Sequence, residues 1–591
     1  MKLPYVLKPH FSRKSTFYPL DFKGAPAALR GEPVKPDFSS FPLPLPSKKS
    51  DYRCSAVTDD GAVWAGASNG VTRCRVEEEK KADRVMFFSF ERDLPDNNVI
   101  NIAPDGNSVW VLTETGITHI ELVTLTAEEK ADILLDETLE AVQRRSMVSH
   151  KFLAKRGDVS SYLDFGYCDN DGGFTALFAS GEIFRYAVLK REKGENAPET
   201  LEAKAVAARA VEAVLLLMYI PGRGDGFVAR SYLTVDEPLP DDGLFFKKHG
   251  GKATALETTY TKEKGIAGIE IDASAPVPDR LAKLYRDEGY SDDDIIYKAD
   301  TSSDEITLEY MMLWLYSRLM SGEDEELDEL VRQSACSIMS HILDNGLRLV
   351  DFSGESTMWA KWYEDYFNTP DGWVDACLNS AEVLMYLKAT MDITGEDGRW
   401  KEAYDSLIAR GYADLGLKHF DRHNTANCFT NEDFVENIMY GDHMLATASF
   451  YVLCRLEKDE KLLDIYRRAF STWRYSVARE FSPAYDFPYL AACPGAEPDM
   501  ERICLWFDRA NISRLAGSVT LSGRHDIPVK KYRAGYLEAG TALPPDERFI
   551  SKFDRNPLEY KNEDSGGAQC VEGCTYYTLP YWMGRYYGFI K

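Results

Sequence analysis

Apolar and polar positions divide the chain into two regimes. From 51 to 125, short apolar strands turn at Gly-containing dipeptides. From about 165 onward, apolar residues recur at helical spacing or fill whole helices. Asp304–Met320 is apolar on nearly every side, which requires burial. Glu325–Asp344, which follows it, is amphipathic and stops at Asn345-Gly346. The same alternation recurs. Gly173–Leu189 is followed by Pro198–Met218, Ser380–Ile393 by Arg399–Ala413, and Met444–Leu456 by Asp459–Val477. A buried helix followed by a half-exposed one predicts a two-layered ring of helical hairpins. The expected fold is therefore mainly α, a toroid of helical hairpins behind a small β segment, with further pairs in 480–591.

Punctuation sets the domain boundaries. Residues 1–50, with Pro33, Pro36, Pro42, Pro44 and Pro46, read as an extended arm or tail. Gly61–Arg73 reads as a hairpin with an Asn-Gly turn, and 107–119 repeats it. Aligning Trp64 with Trp110 also aligns Gly70 with Gly116, a period that marks stacked β units. These two segments resemble the W-x-G-T-x-x-G-L repeats of two-component-regulator-type β-propellers. Two copies are too few for a closed propeller and imply a small β domain at 51–125, either a lid or a packing appendage. Residues 126–164 read as a connector, 165–591 as the helical body, and 221–298 as an insertion lying over it.

Composition narrows the function classes. The 591 residues are 44% apolar and 28% charged, as in a soluble globular protein. A net charge of −26 without a Lys/Arg run argues against nucleic-acid binding. The 11 cysteines lack metal or redox spacing and read as buried thiols of a reducing compartment. Neither a signal-peptide h-region nor a membrane span is present, so a cytoplasmic protein with no membrane partner is expected. No phosphate loop, dinucleotide fingerprint or nucleophile elbow stands at a strand-to-helix junction. No cofactor and no metal site are expected, and Asp292-Asp-Asp294 reads as a solvated loop.

Each buried helix opens on polar residues. The heads are Asp169, Asn170 and Asp171; Asp300, Ser303, Asp304 and Glu305; Asn379 and Ser380; Asp442 and His443. Such residues are ordinary N-caps, but four such heads directed at one space suggest a shared site. The region from about 165 to 591 resembles the (α/α) toroids of carbohydrate-active enzymes, both glycoside hydrolases and polysaccharide lyases. Asp169-Asn-Asp-Gly172, Ala229-Arg-Ser231, Asp300-Thr-Ser-Ser-Asp-Glu305, Leu378-Asn-Ser380 and Leu579-Pro-Tyr-Trp-Met-Gly-Arg585 also resemble phrases in bacterial proteins that join propeller-like repeats to such a toroid. The resemblance implies an oligosaccharide or polysaccharide substrate.

Two carboxylates across a cleft can cut a glycosidic bond, one as acid and the other as nucleophile or base. Asp304 or Glu305 with Asp171 or Asp442 is the natural pairing. β-Elimination on a uronate is the alternative, with His443 as base, Tyr219, Tyr440 or Tyr532 as proton donor, and Arg230 and Arg514 holding the carboxylate. A non-catalytic glycan-binding or scaffold protein is a third reading. Trp359 and Trp362, followed by Asp365, Trp373 and Asp375, suit a sugar subsite or anchor their loop. The aromatic cluster Tyr581, Trp582, Tyr586 and Tyr587 reads as docking of the C-terminal segment.

Overall fold

The computed structural model describes residues 4–38, 41, 43–163, 167–418, 440–513, 515, 524–531, 537–548, 555–560 and 569–591. It corrects the expected fold class. The molecule is mixed α and β, 47% helix and 19% strand. One five-stranded and two four-stranded antiparallel sheets stand among the described residues, which a mainly α toroid does not accommodate. The strand content was hidden because most strands are only three to seven residues long, too short for a clear period.

The first two sheets lie at the start of the chain. Strands β1 (His10–Tyr18), β2 (Cys54–Val57), β3 (Val63–Ala67), β4 (Gly70–Cys74), β5 (Val85–Phe88), β6 (Val99–Asp105), β7 (Ser108–Thr113) and β8 (Ile117–Leu125) form them. Their orders are β2-β3-β4-β5 and β1-β8-β7-β6. Trp64 on β3 faces Arg73, and Trp110 on β7 faces His119, at matching places in the two sheets. Trp64, Val71, Phe88, Val99, Val111 and Ile120 share one core between the sheets. Residues 10–18, inside the segment read as an arm, form β1 and pair with β8 along their whole length.

A desolvated ion network joins this β part to the far end of the chain. Helix α1 (Ala127–Glu137) begins at a Thr126 capping box. Strand β9 (His150–Phe152) pairs with Cys570–Glu572. The Arg13 guanidinium on β1 pairs with Asp546 (2.6 Å), Asp93 (3.1 Å) and Glu547 (3.4 Å). Arg509 pairs with Asp83 (2.9 Å), Asp546 (2.9 Å) and Glu547 (3.0 Å), and Arg524 also reaches Glu547 (2.8 Å). All of these side chains are buried. Burial opposes the ionisation of Asp546, but Arg13 and Arg509 outweigh it and hold its pKa below the ordinary value. Lys130 on α1 donates to the carbonyls of Phe507, Asp508 and Ala510, completing the end of the helix Met500–Arg509. Tyr5 and Leu7 donate to the carbonyls of Phe589 and Lys591, each at 2.9 Å.

The helical body contains α2 (Asp171–Lys193), α3 (Pro198–Tyr219), α4 (Ser303–Leu319), α5 (Glu325–Asp344), α6 (Pro370–Thr394), α7 (Gly398–Ala409), α8 (Tyr440–Leu456), α9 (Glu460–Val477), α10 (Pro483–Ala492), α11 (Met500–Arg509) and α12 (Thr575–Tyr587). The even-numbered helices touch in a closed cycle, α2 to α4, α6, α8, α10, α12 and back to α2. Helix α3 packs against α2, α7 against α6, and α9 against α8. Residues 221–298 contribute β10 (Ser231–Thr234), β11 (Phe245–His249), β12 (Lys252–Ala255), β13 (Glu270–Asp272) and β14 (Ile295–Lys298), in the order β10-β14-β11-β12-β13. A hairpin of β15 (Arg348–Val350) and β16 (Ser356–Lys361) precedes α6. No helix among the described residues is long and apolar enough to cross a membrane.

Removing one member of a buried ion network leaves its partners charged and unpaired. Arg509→Ala is therefore expected to lower unfolding stability by about 3–5 kcal/mol, read as a fall in the denaturant midpoint. Replacement of the solvent-exposed pair Arg399 and Asp344 by Ala should change it by less than about 1 kcal/mol.

Candidate active site

Helices α2, α4, α6 and α8 bring their N-terminal parts to one end of the body. Thr307 on α4 and Tyr386 on α6 share a 2.6 Å hydrogen bond. One turn further along, the Tyr310 ring stacks on Tyr386 at 4.8 Å, and Thr390 donates to the Tyr310 hydroxyl at 3.4 Å. The two helices are thus parallel and in register. Asp304, three residues before Thr307, and Glu382, four before Tyr386, consequently point at each other. On α8, Tyr451 meets the Trp314 ring edge-on at 5.6 Å. Met444 and Ala448 share an apolar cavity of about 50 Å³ with Met311 and Leu315. That register sets Asp442 level with the first turns of α4.

The approach of α2 depends on two glycines. A Cβ on Gly172 would stand 2.9 Å from Glu309 Oε1, and one on Gly173 would stand 3.1 Å from Leu308 Cδ1. Absence of side chains at both lets the head of α2 lie against α4.

The cap of α4 is Ser302, which accepts from the Asp304 N–H at 3.4 Å and donates its own N–H to Glu305 Oε2 at 3.0 Å. Ser303, expected as substrate-binding, is buried in the first turn. Asp304 is not the cap and is partly exposed, as is Asp442. Glu305 is buried, its Oε1 3.4 Å from Arg230 Nε. Burial pushes its pKa up to about 7 against the pull of Arg230, with Asp304 adding to the rise.

Arg230 also donates to Asn170 Oδ1 at 2.6 Å and to the Asp300 carbonyl at 3.4 Å. Lys298 reaches Asp169 at 2.7 Å and Asp300 at 3.7 Å. Burial works against Asp169, but hydrogen bonds from Lys298 and Tyr167 keep its pKa low. Asp300 is raised by burial, with Lys298 and Arg230 opposing. Asp169, Asn170, Arg230, Asp300, Asp304 and Glu305 thus form one connected polar face.

Other candidate residues are otherwise engaged. Asp171 is buried, accepting from Arg144 (2.8 Å) and Ser231 (2.6 Å), which removes it from the acid pair. Asn379 lies in the middle of α6 and donates to the Lys361 carbonyl at 2.9 Å. His443 is buried edge-on to Trp473, with ring centres 5.1 Å apart. Tyr440 donates to Asn556 at 3.1 Å. Tyr219 ends α3 in the outer layer, and burial raises its pKa. Trp362 is fully buried, whereas Trp359 and Trp373 are half-exposed, at 52% and 46%. Arg514 and Tyr532 lie outside the described residues.

Two buried acids escaped the sequence reading. Glu382 accepts from Trp362 Nε1 at 2.9 Å. Burial pushes its pKa up to about 8 against that hydrogen bond, and Asp304 and Asp442 add to the rise. Glu309, one turn below Glu305, is wholly buried, with no hydrogen-bond partner at either oxygen. Burial and then Glu305 raise it well above the ordinary carboxyl range. Both stand inside apolar helical runs, where one Glu reads as filler. Spacing offers one signal, since Glu305 and Glu309 are four residues apart and share a helix face. Among the described residues, no group of three or more His, Cys, Asp or Glu is placed to hold a metal.

These raised carboxyls fix the sign of a pH effect. Each holds a proton in the folded chain that the unfolded chain has released, so its stabilising contribution is complete below about pH 4.5 and is lost as pH rises. For Glu305 the loss runs to its folded value of about 7, and for Glu382 to about 8. Glu309→Met removes one such group at similar volume. It is expected to raise the urea midpoint, and to raise it more at pH 8 than at pH 5. No family model, curated protein or solved structure matches this chain.

Proposed function

We propose that the chain is a glycoside hydrolase in which Asp304 and Asp442 form the acid/base pair. The observation that carries this reading is the placement of two partly exposed carboxylates at one end of parallel, touching helices. One carboxyl in its acid form protonates the leaving glycosidic oxygen. The other, ionised, attacks the anomeric carbon or takes a proton from water. Arg230 and Lys298, each bonded to neighbouring acids, orient the polar face beside the pair. Half-exposed Trp359, on the hairpin before α6, and Trp373, in its first turn, offer flat apolar faces for sugar rings. The resemblance of the region from about 165 to 591 to the toroids of carbohydrate-active enzymes points the same way. A lyase reading gains nothing from burial of His443 or from the engagement of Arg230 with three neighbours.

The test is incubation with panels of oligosaccharides and polysaccharides. The expected result is new reducing ends without a product absorbing in the unsaturated-uronate band. Asp304→Asn and Asp442→Asn should each lower kcat/KM by about 10²–10⁴-fold with folding intact by circular dichroism. An absorbing product would replace hydrolysis by elimination. Glycan binding with no turnover across the panel would leave a recognition protein in place of an enzyme.

A further inference from the structure

A fully buried acid beneath two partly exposed ones has a role that the pair alone does not explain. Glu382 accepts a hydrogen bond from Trp362 Nε1, and its other oxygen, Oε1, has no hydrogen-bond partner. Thr307 and Asp304 face it from α4, Asp442 faces it from α8, and Tyr386 stands one turn along its own helix. Trp362 comes from the end of the β15–β16 hairpin and is wholly buried, as is Glu382. A carboxylic acid in such a place is held rigidly and out of reach of substrate, so it cannot be the group that touches the sugar.

We propose that Glu382, fixed by Trp362 beneath Asp304 and Asp442, is a positioning residue that sets the alkaline limit of the acid pair. The proposal rests on reading Asp304 and Asp442 as that pair. While Glu382 is neutral, the site carries at most two negative charges, and the pair can divide one proton between them. Once Glu382 loses its proton to solvent, a third carboxylate stands in the same desolvated space. Like charges in one site disfavour one another's ionised forms, so ionised Glu382 tightens the pair's hold on its proton and keeps the acid form present to higher pH. The hydrogen bond from Trp362 then becomes charge-assisted and shortens, which makes the indole N–H a reporter of the Glu382 proton.

The experiment uses the full chain labelled with ¹⁵N and needs no substrate. The Trp362 indole resonance is identified by its loss in Trp362→Phe and followed from pH 6 to 9. A titration with a midpoint near pH 8 is expected. Asp304→Asn and Asp442→Asn, which leave Glu382 in place, should each move that midpoint to lower pH, because each removes a like charge. Glu382→Gln should abolish the titration and, where a hydrolysed glycan is in hand, draw the alkaline limb of the pH–rate profile to lower pH. A flat Trp362 resonance would overturn the proposal. So would a midpoint that neither Asn variant moves, which is decisive even if Glu382→Gln fails to fold. Failure of the glycan panel would leave these outcomes readable, so the hydrolase reading and the role of Glu382 can fail separately.

Discussion

The buried ion network around Arg13 and Arg509 is the constraint on which the architecture depends. Charges taken out of water are tolerated only when each is paired and hydrogen-bonded. Here Asp83, Asp93, Asp546 and Glu547 are each paired with a buried arginine. Because those residues come from β1, the loops around β5, the end of α11 and residues 545–548, the network specifies how the β part meets the helices. A purely apolar contact would hold these pieces together with less directional demand. Paired charges permit far fewer relative placements, since any shift leaves an ion unsatisfied.

That fixed frame lets the helix heads be placed to within a turn. The Thr307–Tyr386 bond and the Tyr310–Tyr386 stack lock α4 to α6, and the Trp314–Tyr451 contact ties α8 to α4. Apolar packing of Met311, Leu315, Met444 and Ala448 lies on the inner side, and the polar face lies at the helix heads. The acids therefore sit where packing cannot adjust to them, which is why their proton affinities are displaced. Glu305, Glu309 and Glu382 are raised by burial, whereas Asp169 is lowered by Lys298 and Tyr167. Such divergence between neighbouring carboxyls is what acid/base chemistry at one pH requires.

The polar heads of α2 and α4 were legible because a carboxylate at the start of an apolar helix is conspicuous. Asp304, Glu305 and Asp169 were all reachable that way. Glu382 was not, because α6 begins at Pro370 rather than at Ser380. Asp371, Trp373 and Asp375 interrupt its first turns and read as loop, and the true register of the helix was lost with them. Trp362 read as a sugar platform or a loop anchor alike, because a sequence does not say which way an indole faces, and its burial fits the anchor. Strand β1, His-Phe-Ser-Arg-Lys-Ser-Thr-Phe-Tyr, carries little apolar alternation, since its inward Arg13 is neutralised by residues more than five hundred positions away. The insertion at 221–298 carries strand-like stretches, but strands of three to five residues do not say which of them pair into one five-stranded sheet.

The pairing of Arg13 with Asp546 spans 533 positions, and this separation has a kinetic meaning. At roughly 5–20 residues per second of synthesis, the carboxylate arrives about 30–100 s after the guanidinium has left the ribosome. The local hairpins of β2–β5 and β6–β8 form on far shorter timescales. Through that interval Arg13 has Asp93 but neither Asp546 nor Glu547 to pair with, so its remaining N–H groups must stay hydrated. Completion of the desolvated network is thus a late event, coming after every strand of the two sheets that it joins to the helices has been made.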